Sequence, residues 1–168
     1  MTPSADRNFI LQQGLEAPPL ASCAATSSAL RFQPRLIGLI AVLGTLSQSP
    51  AVFGALAALL WVSALLPRLN PFELIYRQTL GRRSGSVALG PAPTPRRFAQ
   101  GMAAAMATAI AVALAAELRT TAWVIEALLL LALVALIFGR FCLGSFIYYL
   151  VRGRISFALA TLPWGRGV

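Results

Sequence analysis

Between Glu126 and Arg140 the chain carries no acidic or basic residue, and the apolar run around that gap extends from Ala122 to Val151. Those 30 residues as one helix would reach about 45 Å, against a hydrocarbon core of roughly 30 Å. With Glu126 at one boundary, roughly 20 residues carry the helix to about Phe146. Arg140 and Cys142 then lie in the inner third of the bilayer, and Tyr148 and Tyr149 fall at the interface, where aromatic belts form. A charge at that depth is costly and faces protein or water, not lipid. Gly139 to Tyr149 is therefore the stretch where the sequence places a site.

Composition gives the class. Of 168 residues, 58% are hydrophobic and 11% charged, with a mean hydropathy of +0.75. Soluble domains carry about 25% charged residues. An all-α integral membrane protein is expected, with the lipid bilayer as its first partner. The net charge of +9 comes from 14 basic residues, every one an arginine. They sit between apolar segments, so topology and headgroups account for them and no nucleic-acid face is expected. The chain has no histidine, which removes the commonest haem, zinc and copper ligand. Two cysteines cannot build a metal site alone, so neither metal nor cofactor is expected.

In chain order, residues 1–33 read as a flexible N-terminal tail, irregular because of Pro18-Pro19 and the small polar run that follows. Gln12, Gln13, Glu16 and the prolines interrupt any signal-peptide apolar region, and Cys23 reads as an ordinary tail thiol. A membrane domain over 34–155 follows, with spans near 35–47, 50–66, 98–117 and 122–147. Ser49 is a natural N-cap with Pro50 at N1. The first two helices are short, which fits two spans with local thinning or a re-entrant hairpin. Asn70-Pro71-Phe72-Glu73 starts a short amphipathic interfacial helix over 71–80, with Glu73 and Arg77 at i,i+4. In the third span Gly101, Ala105, Ala109 and Ala113 recur every four residues, a seam that lets a neighbouring helix approach closely. Residues 156–168 read as a C-terminal tail.

Arginines set the orientation. The middle connection holds Arg68, Arg77, Arg82, Arg83, Arg96 and Arg97, whereas the third holds Arg119 and the first none. Four spans in a bundle, with both termini and the middle loop cytoplasmic, satisfy this asymmetry. The implied compartment is a bacterial inner membrane.

Three stretches carry a resemblance: Asn70-Pro71-Phe72, Pro95-Arg96-Arg97-Phe98-Ala99-Gln100, and Phe141-Cys142-Leu143-Gly144-Ser145 with Tyr148. They resemble a bacterial family of small four-span membrane proteins, domain of unknown function 4395, over roughly Arg35 to Arg152. The family's recurring motif is Phe-Cys-x-Gly-Cys, and some relatives lie beside or fused to thioredoxin-like modules, which implies thiol chemistry. Phe141, Cys142 and Gly144 match, whereas Ser145 replaces the second cysteine. The resemblance therefore implies a single thiol and no dithiol cycle within the motif.

Two readings of Cys142 follow. As a site, it forms a mixed disulfide that an external thiol resolves, with Arg140 favouring the thiolate and a thioredoxin-like protein as partner. As packing, it is a small core residue, and the chain is an accessory subunit of a larger membrane complex, respiratory or photosynthetic. Glu117 and Glu126 read as solvated boundary charges at the opposite face. For Arg140 the expected partner is Glu73, held at the inner interface by its own helix, with Arg77 as competitor for that carboxylate.

Overall fold

The computed structural model describes residues 3–16, 18–79 and 91–165, and the side chains of Glu73 and Arg77 lie outside what it describes. The arginine pair Arg82-Arg83 and its loop also lie outside the described residues. Among the described residues there are helices and no strand.

The N-terminal segment corrects the first expectation. It forms α1 (Pro3–Gln12) and α2 (Leu20–Leu30). Asp6, Phe9, Ile10 and Gln13 are all buried. They fall at i, i+3, i+4 and i+7, one face of a helix. Phe9 and Ile10 pack with Cys23 and Leu30, and Leu136 closes the cluster. Each of those two side chains contributes roughly 1.5–3 kcal/mol of burial, which is enough to hold the segment down.

After Arg31 the chain continues into α3 (Phe32–Ser47). Residues Ser22–Ser47 together are long and apolar enough to cross a membrane, so this passage is longer than the sequence suggested. The turn is as expected: Gln48 takes a left-handed conformation (φ 46°), the Ser49 hydroxyl accepts from the Val52 N–H, and Pro50 opens α4 (Pro50–Leu65). A single 3-10 turn, Pro67–Leu69, leads to α5 (Pro71–Thr79). There Asn70 Oδ1 accepts the Phe72 N–H at 3.1 Å, the cap its sequence announces. α6 (Thr94–Ala115) and α7 (Arg119–Ile137) are each long and apolar enough to span. Two short helices close the chain, α8 (Leu143–Val151) and α9 (Ile155–Ala160).

α3, α4, α6 and α7 share one core, in which Ile37, Phe53, Leu56, Leu60, Ile110 and Leu129 are buried. Leu39, Leu46, Val112, Leu131 and Val134 are exposed on the outer faces, as helices in lipid require. The small-residue seam is corrected here. On α6 the buried face is Gln100, Ala104, Ala107, Ile110 and Ala113, whereas Ala105 and Ala109 are exposed. A Cβ added at Gly101 would meet nothing within 4 Å. Ala113 belongs to both sets, but the packed face is centred on nearly the opposite side of the helix from Gly101, Ala105 and Ala109. In a run of alanines periodicity cannot tell the two apart.

The uninterrupted fourth helix is also corrected. α7 stops at Ile137, and Arg140 adopts φ 53°, a left-handed value rarely taken by a residue with a side chain. The Phe141 N–H closes the helix end on the Ala135 carbonyl at 3.1 Å. Gly139 is required there, because a Cβ would sit 2.6 Å from that same oxygen. From the other side Arg31 Nη1 donates to the Ile137 carbonyl at 3.3 Å, a cation on the negative end of α7.

Candidate functional site

The break between α7 and α8 makes Cys142 the N-cap of α8, in extended conformation. Its N–H, freed from any helical acceptor, donates to Gln12 Oε1 of α1 at 2.8 Å. The thiol is buried, with Cys142 5% exposed. Ser145, one turn on, places Oγ 3.3 Å from Cys142 Sγ and 3.5 Å from the Pro95 carbonyl of α6. The Ser145 hydroxyl is thus within hydrogen-bonding reach of the sulfur at the first turn of α8.

Gly144 holds the site against α6. A Cβ there would lie 2.6 Å from Ala99 Cβ and 2.7 Å from its Cα, so only glycine permits this approach. Phe141 packs edge-on against Phe146, with ring centroids 5.4 Å apart. The Phe-Cys-x-Gly pattern is thus read out as one aromatic contact, one thiol and one helix contact.

Arg140 meets a carboxylate of α1. Its Nε lies 3.0 Å from Asp6 Oδ1, and both side chains are about nine-tenths buried. The carboxylate described beside Arg140 is therefore Asp6 of α1, in a segment the sequence reading treated as irregular. The expected Glu73 partnership, with Arg77 as competitor, involves side chains outside the described residues.

Two small cavities meet at Cys142. One, of about 70 Å³, is walled mostly by apolar side chains, with Gln13, Gln33, Arg96 and Gln100 among them. The other, of about 90 Å³, is apolar and walled by Met102, Met106, Leu129 and Gly144. Both fall below the roughly 300–1,000 Å³ of an ordinary ligand pocket, so only a few atoms of a reactant fit beside the sulfur. On the polar side Gln33 Oε1 accepts from Arg96 at 2.9 Å, Gln100 at 3.1 Å and Asn70 at 3.4 Å. Gln13 Nε2, Gln33 Nε2 and Gln100 Oε1 are buried without a hydrogen-bond partner among the described residues. These glutamines escaped the sequence reading, although Gln13 shares a helical face with Asp6, Phe9 and Ile10.

Glu126 is a further correction. It is 1% exposed, not solvated, and accepts from Gln48 Nε2 at 3.0 and 3.3 Å. Ala122, Leu129 and Leu133 are buried on the same face of α7, and that spacing was visible. Glu117 is exposed as expected. Among the described residues no group of three or more potential acidic, cysteine or histidine ligands could hold a metal.

The family described as Domain of unknown function (DUF4395) matches residues 27–153. No curated protein and no solved structure matches the chain. The match includes Asn70, Arg96 and Arg140 to Ser145, whereas Asp6 and Gln12 precede it.

Proposed function

The chain belongs to the DUF4395 family, and we propose that it is a bacterial inner-membrane protein whose single thiol, Cys142, undergoes thiol–disulfide exchange with a thioredoxin-like partner. The observation that carries this reading is the Ser145 hydroxyl 3.3 Å from Cys142 Sγ at the start of α8. In the exchange the Cys142 thiolate attacks one sulfur of the partner's disulfide. A mixed disulfide forms, and the other sulfur leaves as a thiolate that takes up the proton Cys142 lost. A second thiol from outside the chain then attacks the mixed bond and returns Cys142, since Ser145 cannot resolve it.

The thiol is buried, so exchange requires the cover formed by α1 to move. Its two fastenings at this site are Gln12 to the Cys142 N–H and Asp6 to Arg140. The test uses a Cys23→Ala background and a thioredoxin-like protein lacking its resolving cysteine. That protein's remaining cysteine is first converted to a mixed disulfide with thionitrobenzoate, the thiolate that leaves when Cys142 attacks. A reducible adduct is expected, absent in Cys142→Ala. An adduct of equal yield in Cys142→Ala, or an unchanged phenotype in that variant, removes the thiol role.

The topology that accompanies this reading has four crossings, with α4 as the short one at 16 residues, or about 24 Å. A thinned bilayer accommodates it. α7 crosses alone, which leaves Arg140 to Tyr149 at the cytoplasmic end with both termini. An engineered cysteine at Ser84 should resist an impermeant reagent added outside; labelling from outside overturns the orientation.

A second reading, an accessory subunit of a larger membrane complex, is favoured by one feature. Trp61, Ala105, Thr108, Ala109 and Val112 line an outward groove of about 510 Å³. Co-purification from native membrane distinguishes it, because a stable complex would survive Cys142→Ala.

A further inference from the structure

We propose that the depression between the start of α6 and the end of α8 is a binding site for a phosphate-class anion, independent of the chemistry at Cys142. It is an open cavity of about 510 Å³ whose walls include Gly14, Thr94, Tyr148, Tyr149, Arg152 and Arg154.

The local sequence builds the basic wall. α8 ends on Arg152, and Gly153 reverses the chain at φ 70°. The Arg154 N–H then bonds back to the Tyr149 carbonyl at 2.9 Å. This closure sets the two arginines on either side of one glycine, both exposed and both at the cavity. Arg152 is oriented by Tyr148: its guanidinium carbon lies 5.6 Å from the ring centroid and its Nε 3.4 Å from the hydroxyl. Arg154 lies close enough to Tyr149 for its charge to act on that hydroxyl. Among the described residues no acidic side chain lines the cavity and neither arginine forms an ion pair.

The opposite wall is the first turn of α6. Pro93 precedes it in extended conformation with no side-chain cap, which leaves the Thr94 N–H and hydroxyl at the exposed start of a 22-residue helix. Pro95 has no N–H, and the Arg97 N–H bonds the Pro93 carbonyl at 3.0 Å. Gly14, at φ 81°, brings the end of α1 against this wall, where a Cβ would lie 2.9 Å from Pro95 Cγ. Two unneutralised guanidinium groups opposite a helix N-terminus recognise a compact dianion or a phosphodiester. The source is a phospholipid headgroup or a soluble phosphate compound.

Two arms separate these sources. Full-length protein in neutral detergent is titrated with inorganic phosphate and glycerol phosphate by calorimetry. In parallel it is reconstituted in phosphatidylcholine vesicles with or without phosphatidylglycerol, and retained lipid is counted by native mass spectrometry. A response in the first arm assigns a soluble phosphate, and retention in the second alone assigns a headgroup. In either case Arg152→Gln/Arg154→Gln should bind about 30-fold more weakly, from about one kcal/mol per arginine. Arg68→Gln/Arg119→Gln makes the same charge change with exposed residues outside the cavity and should bind as the parent does. Equal weakening by the two pairs, or no binding in either arm, overturns the proposal.

Discussion

Arg140 Nε and Asp6 Oδ1 lie 3.0 Å apart, a contact that ties the N-terminal helix to the break between α7 and α8. Arg140 holds a left-handed backbone there, so the ion pair sits at the turn where the chain leaves α7. Removing either partner breaks a contact that is about nine-tenths buried on both sides.

Asp6→Leu and Arg140→Leu should therefore each destabilise the protein by roughly 3–5 kcal/mol. The double change should cost less than the sum. Denaturant titration in detergent gives the cycle, and strictly additive costs would show that the pair does not act as a unit.

Two glycines should respond in opposite directions. Gly144→Ala forces a Cβ to 2.6 Å from Ala99 Cβ and should cost about 1–3 kcal/mol by overpacking, partly recovered by adding Ala99→Gly. Gly101→Ala meets open space in mid-helix and should be neutral or stabilising by up to about 1 kcal/mol. Thermal unfolding of the two variants side by side decides it.

The cover over Cys142 should govern its reactivity. In a Cys23→Ala background, Gln12→Leu leaves the Cys142 N–H without its acceptor and should loosen α1. Alkylation by a permeant maleimide should then quicken about tenfold, the equivalent of 1.4 kcal/mol of opening. Unchanged rates would mean that reagent reaches the thiol by another route. Separately, Ser145→Cys should create an oxidisable pair with Cys142, seen as a mass loss of about 2 Da when the disulfide forms.

Glu126 and Gln48 should show an unequal pair of costs. Gln48→Leu leaves a buried side-chain acceptor without its amide donor, at a cost of about 1–3 kcal/mol. Glu126→Leu leaves the half-buried Gln48 still donating to the Thr45 carbonyl at 2.8 Å, and should cost less. Equal costs measured by denaturation would contradict this picture of the α3–α4 turn.

Tyr149 supplies the pH dependence. Burial, reinforced by Tyr148 and opposed by Arg154, pushes its hydroxyl above the usual tyrosine value of 10.0. Above that value the unfolded chain has released the phenolic proton while the folded one still holds it. Stability is thus fully present at lower pH and falls as pH rises beyond about 10. Tyr149→Phe should flatten that fall relative to the parent when Tm is followed from pH 9 to 11.

The polar walls of the site show why part of it was legible. Cys142, Gly144 and Ser145 stand within four positions of one another, and their roles as cap, helix contact and hydroxyl donor follow from one short turn. Gln12 and Asp6 reach the same turn from 130 positions away or more, and nothing local to either announces its partner. Gly139 did announce the end of α7, but the apolar residues on both sides outweighed it in a reading based on hydropathy.

By itself the sequence determined the helical class, the presence of the long apolar helices α6 and α7, the Ser49–Pro50 turn, the Asn70 cap and the family. Each depends on neighbours within a few residues, because a helix satisfies its own backbone and its caps are local. Only the tertiary structure decided which face of the alanine-rich α6 is packed, that Asp6 faces Arg140, and that Glu126 is buried against Gln48. A helix can rotate about its axis without changing its hydropathy. Its rotation and its charge partners are therefore set by the elements it packs against.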